Sequence, residues 1–209
     1  MTDEAWRGTL GLVLAGGLAR RMGGGDKPLR RVGGRTVLER VADALRPQVA
    51  VLLLNANGDP ARFAPFGLPV IPDPLPGNPG PLAGVLAGLE WAAAHRPDLT
   101  WMLAVPGDAP FLPPDLAARL HSAREVAGVP LACAASGGWT HPVVGLWPVS
   151  LAPALRAAVT GGLRKIDAFT ATHGIVAAEW PAAPRDPFFN ANRPEDLEEA
   201  DRLAAQQGD

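Results

Sequence analysis

Four short apolar runs dominate the first half of the sequence, and each stops at a glycine or a polar residue. Residues 10–14 run into Gly16-Gly17, residues 49–54 into Asn55, residues 68–71 into Pro72-Asp73, and residues 101–105 into Pro106-Gly107-Asp108. Apolar runs of this length without polar alternation mark strands that are buried on both faces. Segments of helical spacing separate them. One carries Val37, Leu38, Val41 and Leu45 with Pro47 as its stop; another carries Leu82, Val85, Leu86 and Leu89, with Pro81 suited to its first turn. Strands that alternate with helices build an α/β fold whose mostly parallel sheet is covered on both faces. In such a sheet ligands bind beyond the carboxyl ends of the strands. Here those ends are the polar and glycine positions.

The second half continues the pattern. Pro113-Pro114-Asp115 opens a helix with Leu116 and Leu120, and residues 131–135 form a strand that Gly137-Gly138 turns into another at 143–147, a hairpin. Helices are predicted near 151–159 and 165–172, a strand at 175–180, a last short strand at Phe188-Phe189-Asn190, and a closing acidic helix over 194–206. No repeat or linker interrupts the order. The expectation is one domain, residues 1–209, folded as a Rossmann-like three-layer sandwich with helices on both faces of a mostly parallel sheet.

Composition narrows the function classes. A net charge of −2 is unlike that of a general nucleic-acid or membrane-surface binder, so neither partner is expected. No apolar run approaches the ~20 residues of a membrane span. Residues 1–8 hold Asp3 and Glu4 and lack a basic stretch followed by an apolar core, so no secretory leader is expected and the cytoplasm is the expected location. The single cysteine, Cys133, excludes an internal disulfide and reads as a small buried hydrophobe within the apolar run 131–135. Trp101, Trp147 and Trp180 also lie in apolar runs and read as core. The acidic residues Glu195, Asp196, Glu198, Glu199 and Asp201 read as a solvated helix face.

The segment richest in chemistry is Leu14-Ala-Gly-Gly-Leu-Ala-Arg-Arg-Met-Gly-Gly-Gly-Asp-Lys-Pro-Leu29. Glycines let a backbone approach a ligand closely and aim N–H groups at phosphate oxygens. Arg20, Arg21, Lys27, Arg30, Arg31 and Arg35 face one acid, Asp26, a local charge of +5 in a chain of −2. A phosphate-rich ligand matches that balance. The chain has 17 arginines and 2 lysines, so the placement of Lys27 in this loop is notable. Two common phosphate motifs fail. A Walker loop needs Ser or Thr after its Gly-Lys, whereas Lys27 lies between Asp26 and Pro28; the dinucleotide fingerprint needs spaced glycines, whereas Gly23, Gly24 and Gly25 are contiguous.

Leu14, Ala15, Gly16 and Gly17, then Arg21-Met22-Gly23 and Asp26-Lys27, resemble the signature of nucleotidyltransferases that act on sugars and cofactors. Further matches are Asn55, Asp73, Pro79-Gly80-Pro81-Leu82-Ala83-Gly84, Pro106-Gly107-Asp108-Ala109-Pro110-Phe111, His141-Pro142 and Asn190-Ala191-Asn192-Arg193-Pro194-Glu195. With these the chain resembles the molybdenum cofactor guanylyltransferase (MobA-type) family, in order and with similar spacing from about residue 10 to residue 200. One departure is Gly107, where the family often has another small residue; it is not expected to alter the chemistry. The resemblance implies transfer of GMP from GTP to the terminal phosphate of molybdenum-molybdopterin, with release of pyrophosphate and Mg²⁺ as cofactor. It also implies other proteins of molybdenum cofactor biosynthesis as candidate partners. By the same resemblance Lys27, Asp108 and Arg21 are catalytic, and Asp108 is the metal ligand. The nucleotide-binding set it implies is Leu14, Ala15, Gly16, Gly17, Lys27, Asn55, Asp73 and Asp108.

Read from the residues alone, alternatives stay open. Asp108 suits a Mg²⁺ site at a strand end, or a turn ahead of Pro110. Asn55 and Asp73 are nucleotide contacts or plain turn residues. Asn192 to Glu195 has capping-box spacing, against a second metal or substrate contact. His141 is structural or catalytic, and Lys165 beside Arg164 is an anchor for an anionic co-substrate or a solvated cation. Rival activities are a molybdopterin cytidylyltransferase, a sugar-phosphate nucleotidyltransferase and a non-catalytic cofactor carrier.

Overall fold

In the computed structural model, which describes residues 8–16, 27–76, 80–191 and 193–205, each of the four apolar runs contains a strand. In chain order the elements are β1 (Thr9–Leu14), β2 (Arg31–Val32), β3 (Arg35–Thr36), α1 (Val37–Leu45), β4 (Val51–Asn55), β5 (Val70–Ile71), α2 (Pro81–His95), β6 (Trp101–Pro106), α3 (Leu116–Ala127), β7 (Leu131–Ser136), β8 (Trp139–Pro148), α4 (Ala152–Thr160), α5 (Ile166–Thr170), β9 (Ile175–Trp180) and α6 (Pro194–Ala205). Seven strands form one sheet in the order β5-β4-β1-β6-β8-β7-β9. β5, β4, β1 and β6 run parallel, β7 and β9 pair parallel, and β8 is antiparallel to both of its neighbours. The expected α/β sandwich and the β7–β8 hairpin are both present.

Alternation along the strands feeds two cores. Leu10 and Leu12 of β1, Leu53 of β4 and Met102 and Ala104 of β6 point to one face, where they meet Leu82, Leu86 and Leu89 of α2, Leu155 of α4 and Phe169 of α5. Val13, Leu54, Leu103 and Val105 point to the other, against α1, α3 and α6 through Val41, Leu120 and Ala204. Such alternation is what the pleat imposes on a strand covered on both faces. Helix α2 lies close to the sheet because Gly84 and Gly88 sit one turn apart on its buried side. A Cβ on Gly88 would fall 2.5 Å from the Met102 sulfur, and one on Gly84 would fall 2.5 Å from Leu14 Cδ2.

Helix α1 begins with a capping box: Glu39 N–H donates to Thr36 Oγ1 (3.1 Å), and Thr36 N–H donates to Glu39 Oε2 (2.6 Å). Just before it, β2 and β3 form a ribbon about Gly33-Gly34, whose φ angles of 58° and 76° suit a two-residue hairpin turn. The sequence reading placed only a loop here.

Two further expectations change. Phe188-Phe189-Asn190 is not a strand: Phe188 N–H donates to Asp186 Oδ1 (2.9 Å) in a turn, and Phe188 is buried there as a packing residue. The closing helix starts at Pro194, and the reciprocal bond at its start runs from Arg193 N–H to Asp196 Oδ2 (2.8 Å). The cap therefore falls one residue later than the Asn192–Glu195 spacing suggested. Asn192 itself lies outside the described residues.

Candidate functional site

β1 and β6 are hydrogen-bonded neighbours, and both end at one cleft of about 400 Å³. The cleft is lined by Leu14, Ala15 and Gly16 from the end of β1, Lys27 and Pro28, Asn55, Asp73, Gly80 and Pro81, the Pro106-Gly107-Asp108 turn, and Val143 of β8. Every described residue of the expected nucleotide-binding set is therefore in one place. Gly17 and Arg21 lie outside the described residues.

The backbone fixes this edge before any side chain acts. Ala15 N–H donates to Asn55 O (2.8 Å) and Gly107 N–H to Leu14 O (2.9 Å), so the end of β1 is clamped from both sides. Gly107 allows a close approach: a Cβ there would lie 2.9 Å from Pro28 Cγ and 3.2 Å from Leu14 O. Pro28 follows Lys27, so the absence of a side chain at 107 helps to set the lysine. Helix α2 points its N-terminus into the cleft from Gly80, which takes a positive φ of 81°. The dipole of a helix favours negative charge at that end.

Lys27 Nζ lies 3.4 Å from Asp108 Oδ2, and both side chains are mostly buried. Burial raises the Asp108 pKa above the ordinary carboxylate range, and the Lys27 ammonium opposes the rise. A buried carboxylate held in this balance is stabilised as an anion by any further cation. Among the described residues no three His, Cys, Asp or Glu side chains cluster to form a metal cage. Asp108 instead suits a hard ion that takes one carboxylate and completes its shell with phosphate oxygens and water, the habit of Mg²⁺.

Asn55 and Asp73 hold each other. Asn55 Nδ2 donates to Asp73 Oδ1 (3.0 Å) and to Ile71 O (3.2 Å). Asn57, which the sequence reading did not single out, donates to Asp73 Oδ2 (2.7 Å) and accepts from Asp73 N–H (2.9 Å). With the Asn55 amide nitrogen thus committed, its carbonyl Oδ1 lies beside Gly84, at a point only 2.3 Å from where a Cβ of residue 84 would be. A glycine one turn into a helix and an asparagine at a strand end, at positions 84 and 55, give no local sequence signal of this contact.

The remaining candidates fall elsewhere. Cys133 is buried, and burial pushes its thiol up to about 11, so it is inert at neutral pH. Trp147 and Trp180 are core residues; Trp101 is half-buried at the start of β6, at the opposite end of the sheet from the cleft. Lys165 is exposed just before α5. Glu195, Glu198 and Asp201 are exposed as expected, but Asp201 also accepts the Gly33 N–H (2.7 Å) and holds the β2–β3 turn. His141 lies on β8 and bonds Ser136 Oγ through Nε2 (2.7 Å).

Comparison with known proteins gives a consistent picture. The sequence pattern of the MobA-like NTP transferase domain matches residues 11–177. A protein of Rhodopseudomonas palustris (strain BisB5) named molybdenum cofactor guanylyltransferase is 61% identical over 197 residues, 94% of each chain. One of the same name from Bradyrhizobium sp. (strain ORS 278) is 58% identical over 206 residues, 98% of this chain and 97% of the relative. Among solved structures, molybdopterin-guanine dinucleotide biosynthesis protein A from Archaeoglobus fulgidus superposes with a TM-score of 0.74 at 23% identity, covering 94% of this chain and 99% of that one. At that identity the superposition speaks to the fold alone.

Proposed function

The chain belongs to the MobA-like NTP transferase family, and from that premise we propose that it transfers GMP from GTP to the terminal phosphate of molybdenum-molybdopterin, releasing pyrophosphate. The observation that carries this reading is the Lys27–Asp108 pair, 3.4 Å apart in a glycine-lined cleft where two parallel strands end. The attacking phosphate oxygen is already an anion, so the reaction needs no side-chain base. It needs the acceptor, the α-phosphate and the leaving pyrophosphate held in line, and charge neutralised as it shifts.

Each residue has a part in that scheme. Lys27 brings its ammonium to the α-phosphate, and Arg21 holds the triphosphate. Asp108 would hold Mg²⁺, which would supply charge neutralisation to the phosphates. Leu14, Ala15, Gly16 and Gly17 present backbone groups to the nucleotide. Asp73 and Asn57 orient Asn55, whose carbonyl oxygen is an acceptor for base N–H groups. The chain acts as a single domain in the cytoplasm alongside other proteins of molybdenum cofactor biosynthesis. Among the described residues no helix is long and apolar enough to cross a membrane.

The test is turnover with molybdenum-molybdopterin and Mg²⁺, reading pyrophosphate, with GTP, CTP and ATP in competition. A site that hydrogen-bonds the guanine edge leaves polar groups unpaired with another base. GTP is expected to be preferred by roughly a hundredfold or more in kcat/KM, about 2.7 kcal/mol. Equal use of CTP would move the chain to cytidylyl transfer, and no pyrophosphate with any nucleotide would leave a binding protein.

A further inference from the structure

We propose that His141 contacts the acceptor, taking a ring N–H of its pterin on the imidazole Nδ1, and that Ser136 and Asp186 are positioning residues that set the imidazole. The inference rests on the function proposed above.

The topology says where the acceptor enters. The residues assigned to the nucleotide end β4, β1 and β6, and the next strand along the sheet is β8. In-line displacement brings the acceptor in opposite the leaving pyrophosphate. With the nucleotide spread over the β4–β1–β6 side, the approach left along this edge is on the β8 side of Asp108. β8 is antiparallel, so its beginning lies at the cleft end: Gly145 pairs with Ala104, and earlier residues extend toward Asp108.

The pairing is broken at this point. Cys133 pairs with Gly145, yet the next residue, Ala134, pairs with His141, so residues 142–144 form an insertion in the ladder. Bulges redirect side chains and are common beside active sites. This one puts Val143 into the cleft wall and sets His141 two residues farther along the same edge. A second tie comes from the segment after β9: Ala191 N–H donates to Asp108 O (3.0 Å), and Asp186 of the same segment reaches Ser136.

The hydrogen bonds fix the imidazole. Ser136 is 1% exposed, and its Oγ–H donates to Asp186 Oδ1 (2.8 Å). With its one proton committed to a carboxylate, Ser136 Oγ can only accept from His141, so Nε2 carries the hydrogen in their 2.7 Å bond. Phe188 supports the ring from 5.0 Å between centroids. Burial holds the His141 pKa below the ordinary imidazole range, with Asp186 and Glu179 opposing. The neutral ring therefore offers Nδ1 as a hydrogen-bond acceptor, and among the described residues no hydrogen bond reaches it. A brace between hairpin and segment needs only Nε2. The ring is half-buried, and Nδ1 is the polar atom that this brace does not use.

His141→Gln separates the two roles, because the glutamine amide can keep the bond to Ser136 while the Nδ1 acceptor is lost. The expected result is a roughly tenfold or larger rise in KM for molybdopterin, with KM for GTP and the melting temperature near wild type. Ser136→Ala, which keeps Nδ1 but releases the ring, is expected to raise the same KM by a smaller factor, and it serves if His141→Gln does not fold. Equilibrium binding of molybdopterin, followed by pterin fluorescence, is measured on the same proteins without nucleotide. Acceptor binding unchanged in both variants overturns the role of His141 while leaving guanylyl transfer in place. A wild-type protein that binds molybdopterin through His141 but releases no pyrophosphate overturns the transfer reading instead.

Discussion

Strands β1 and β6 lie side by side, and their two ends have opposite fates. At the amino ends Thr9 is fully buried against His121, which is 3% exposed, and the Trp101 ring meets the imidazole edge-on at 5.6 Å. Arg124 stacks over Trp101 at 3.9 Å. At the carboxyl ends stand Gly16, Gly107 and, from α2, Gly80, with Lys27 and Asp108 across the space they leave. Each end holds a titratable group in a water-poor setting, and the settings shift them differently. His121 is pushed down to about 4 by burial, with Arg124 adding to the effect; Asp108 is raised by burial and pulled back by Lys27. One end is filled by side chains and serves stability. The other is emptied by glycines and left with charges that a ligand completes.

The contrast predicts which substitutions touch which property. Asp108→Asn should have the largest effect, removing at least three orders of magnitude of Mg²⁺-dependent turnover while the melting temperature holds. The amide keeps the shape of the carboxylate and leaves no core cavity, but it loses the charge that a divalent ion needs. Turnover that persists with unchanged Mg²⁺ dependence would place the ion on other residues. Lys27→Ala comes next, with a loss of roughly two to three powers of ten, the scale of removing one preorganised transition-state contact. Lys27→Arg is not expected to restore full activity, since a planar fork differs from a compact ammonium. A Lys27→Ala protein that is well folded and fully active would end the distinction between the two ends.

The third prediction concerns the filled end and changes stability with pH. His121 has a folded pKa of about 4, against about 6.5 in an unfolded chain. Above pH 6.5 both states are neutral there and stability is full. As pH falls below 6.5 the unfolded chain takes up a proton that the folded one resists, so stability drops by about 1.4 kcal/mol per pH unit. The drop ends near the folded pKa, at a total on the order of 3 kcal/mol. Urea unfolding at pH 7, 5.5 and 4 measures it, and His121→Phe should flatten that part of the profile. An equally steep profile in His121→Phe would assign the acid sensitivity to other groups.

Much of this architecture was legible because the buried strands are uninterrupted apolar runs. Their polar stops at Asn55, Asp73 and Asp108 converge on one edge for the reason that parallel strands share a direction. Apolarity alone misled at Phe188, where it signals burial beneath His141 rather than a strand. Long-range pairing was out of reach: Asn57 gives no sign that it completes Asp73, and nothing in His141-Pro142-Val143-Val144 announces an insertion in the ladder. Gly33-Gly34 is a hairpin signal and Thr36 to Glu39 a capping box, both present in the sequence within the stretch expected to be loop and helix start. The glycine loop, residues 17–26, lies outside the described residues, so Arg21 stays with the resemblance that suggested it.

The smallest expected effect tests whether the amino end is tuned as a polar pair or only filled. Thr9 Oγ1 lies 2.8 Å from His121 Nε2, and the other ring nitrogen, Nδ1, is buried without a hydrogen-bond partner among the described residues. Thr9→Val keeps the volume but leaves Nε2 unpaired as well. Stranding one buried polar atom costs about 1–3 kcal/mol, and a neutral pair of this kind belongs at the low end of that range. Replacing both partners is a different matter. In Thr9→Val with His121→Phe the stranded nitrogens disappear together, so the double variant should be less destabilised than the sum of the single ones. Turnover should be near wild type in all three, because the cleft lies at the far end of β1 and β6. Additive losses in the double-mutant cycle would mean that the pair is not coupled and that packing alone holds this end. A fall in turnover with GTP would show instead that the two ends of β1 are not independent.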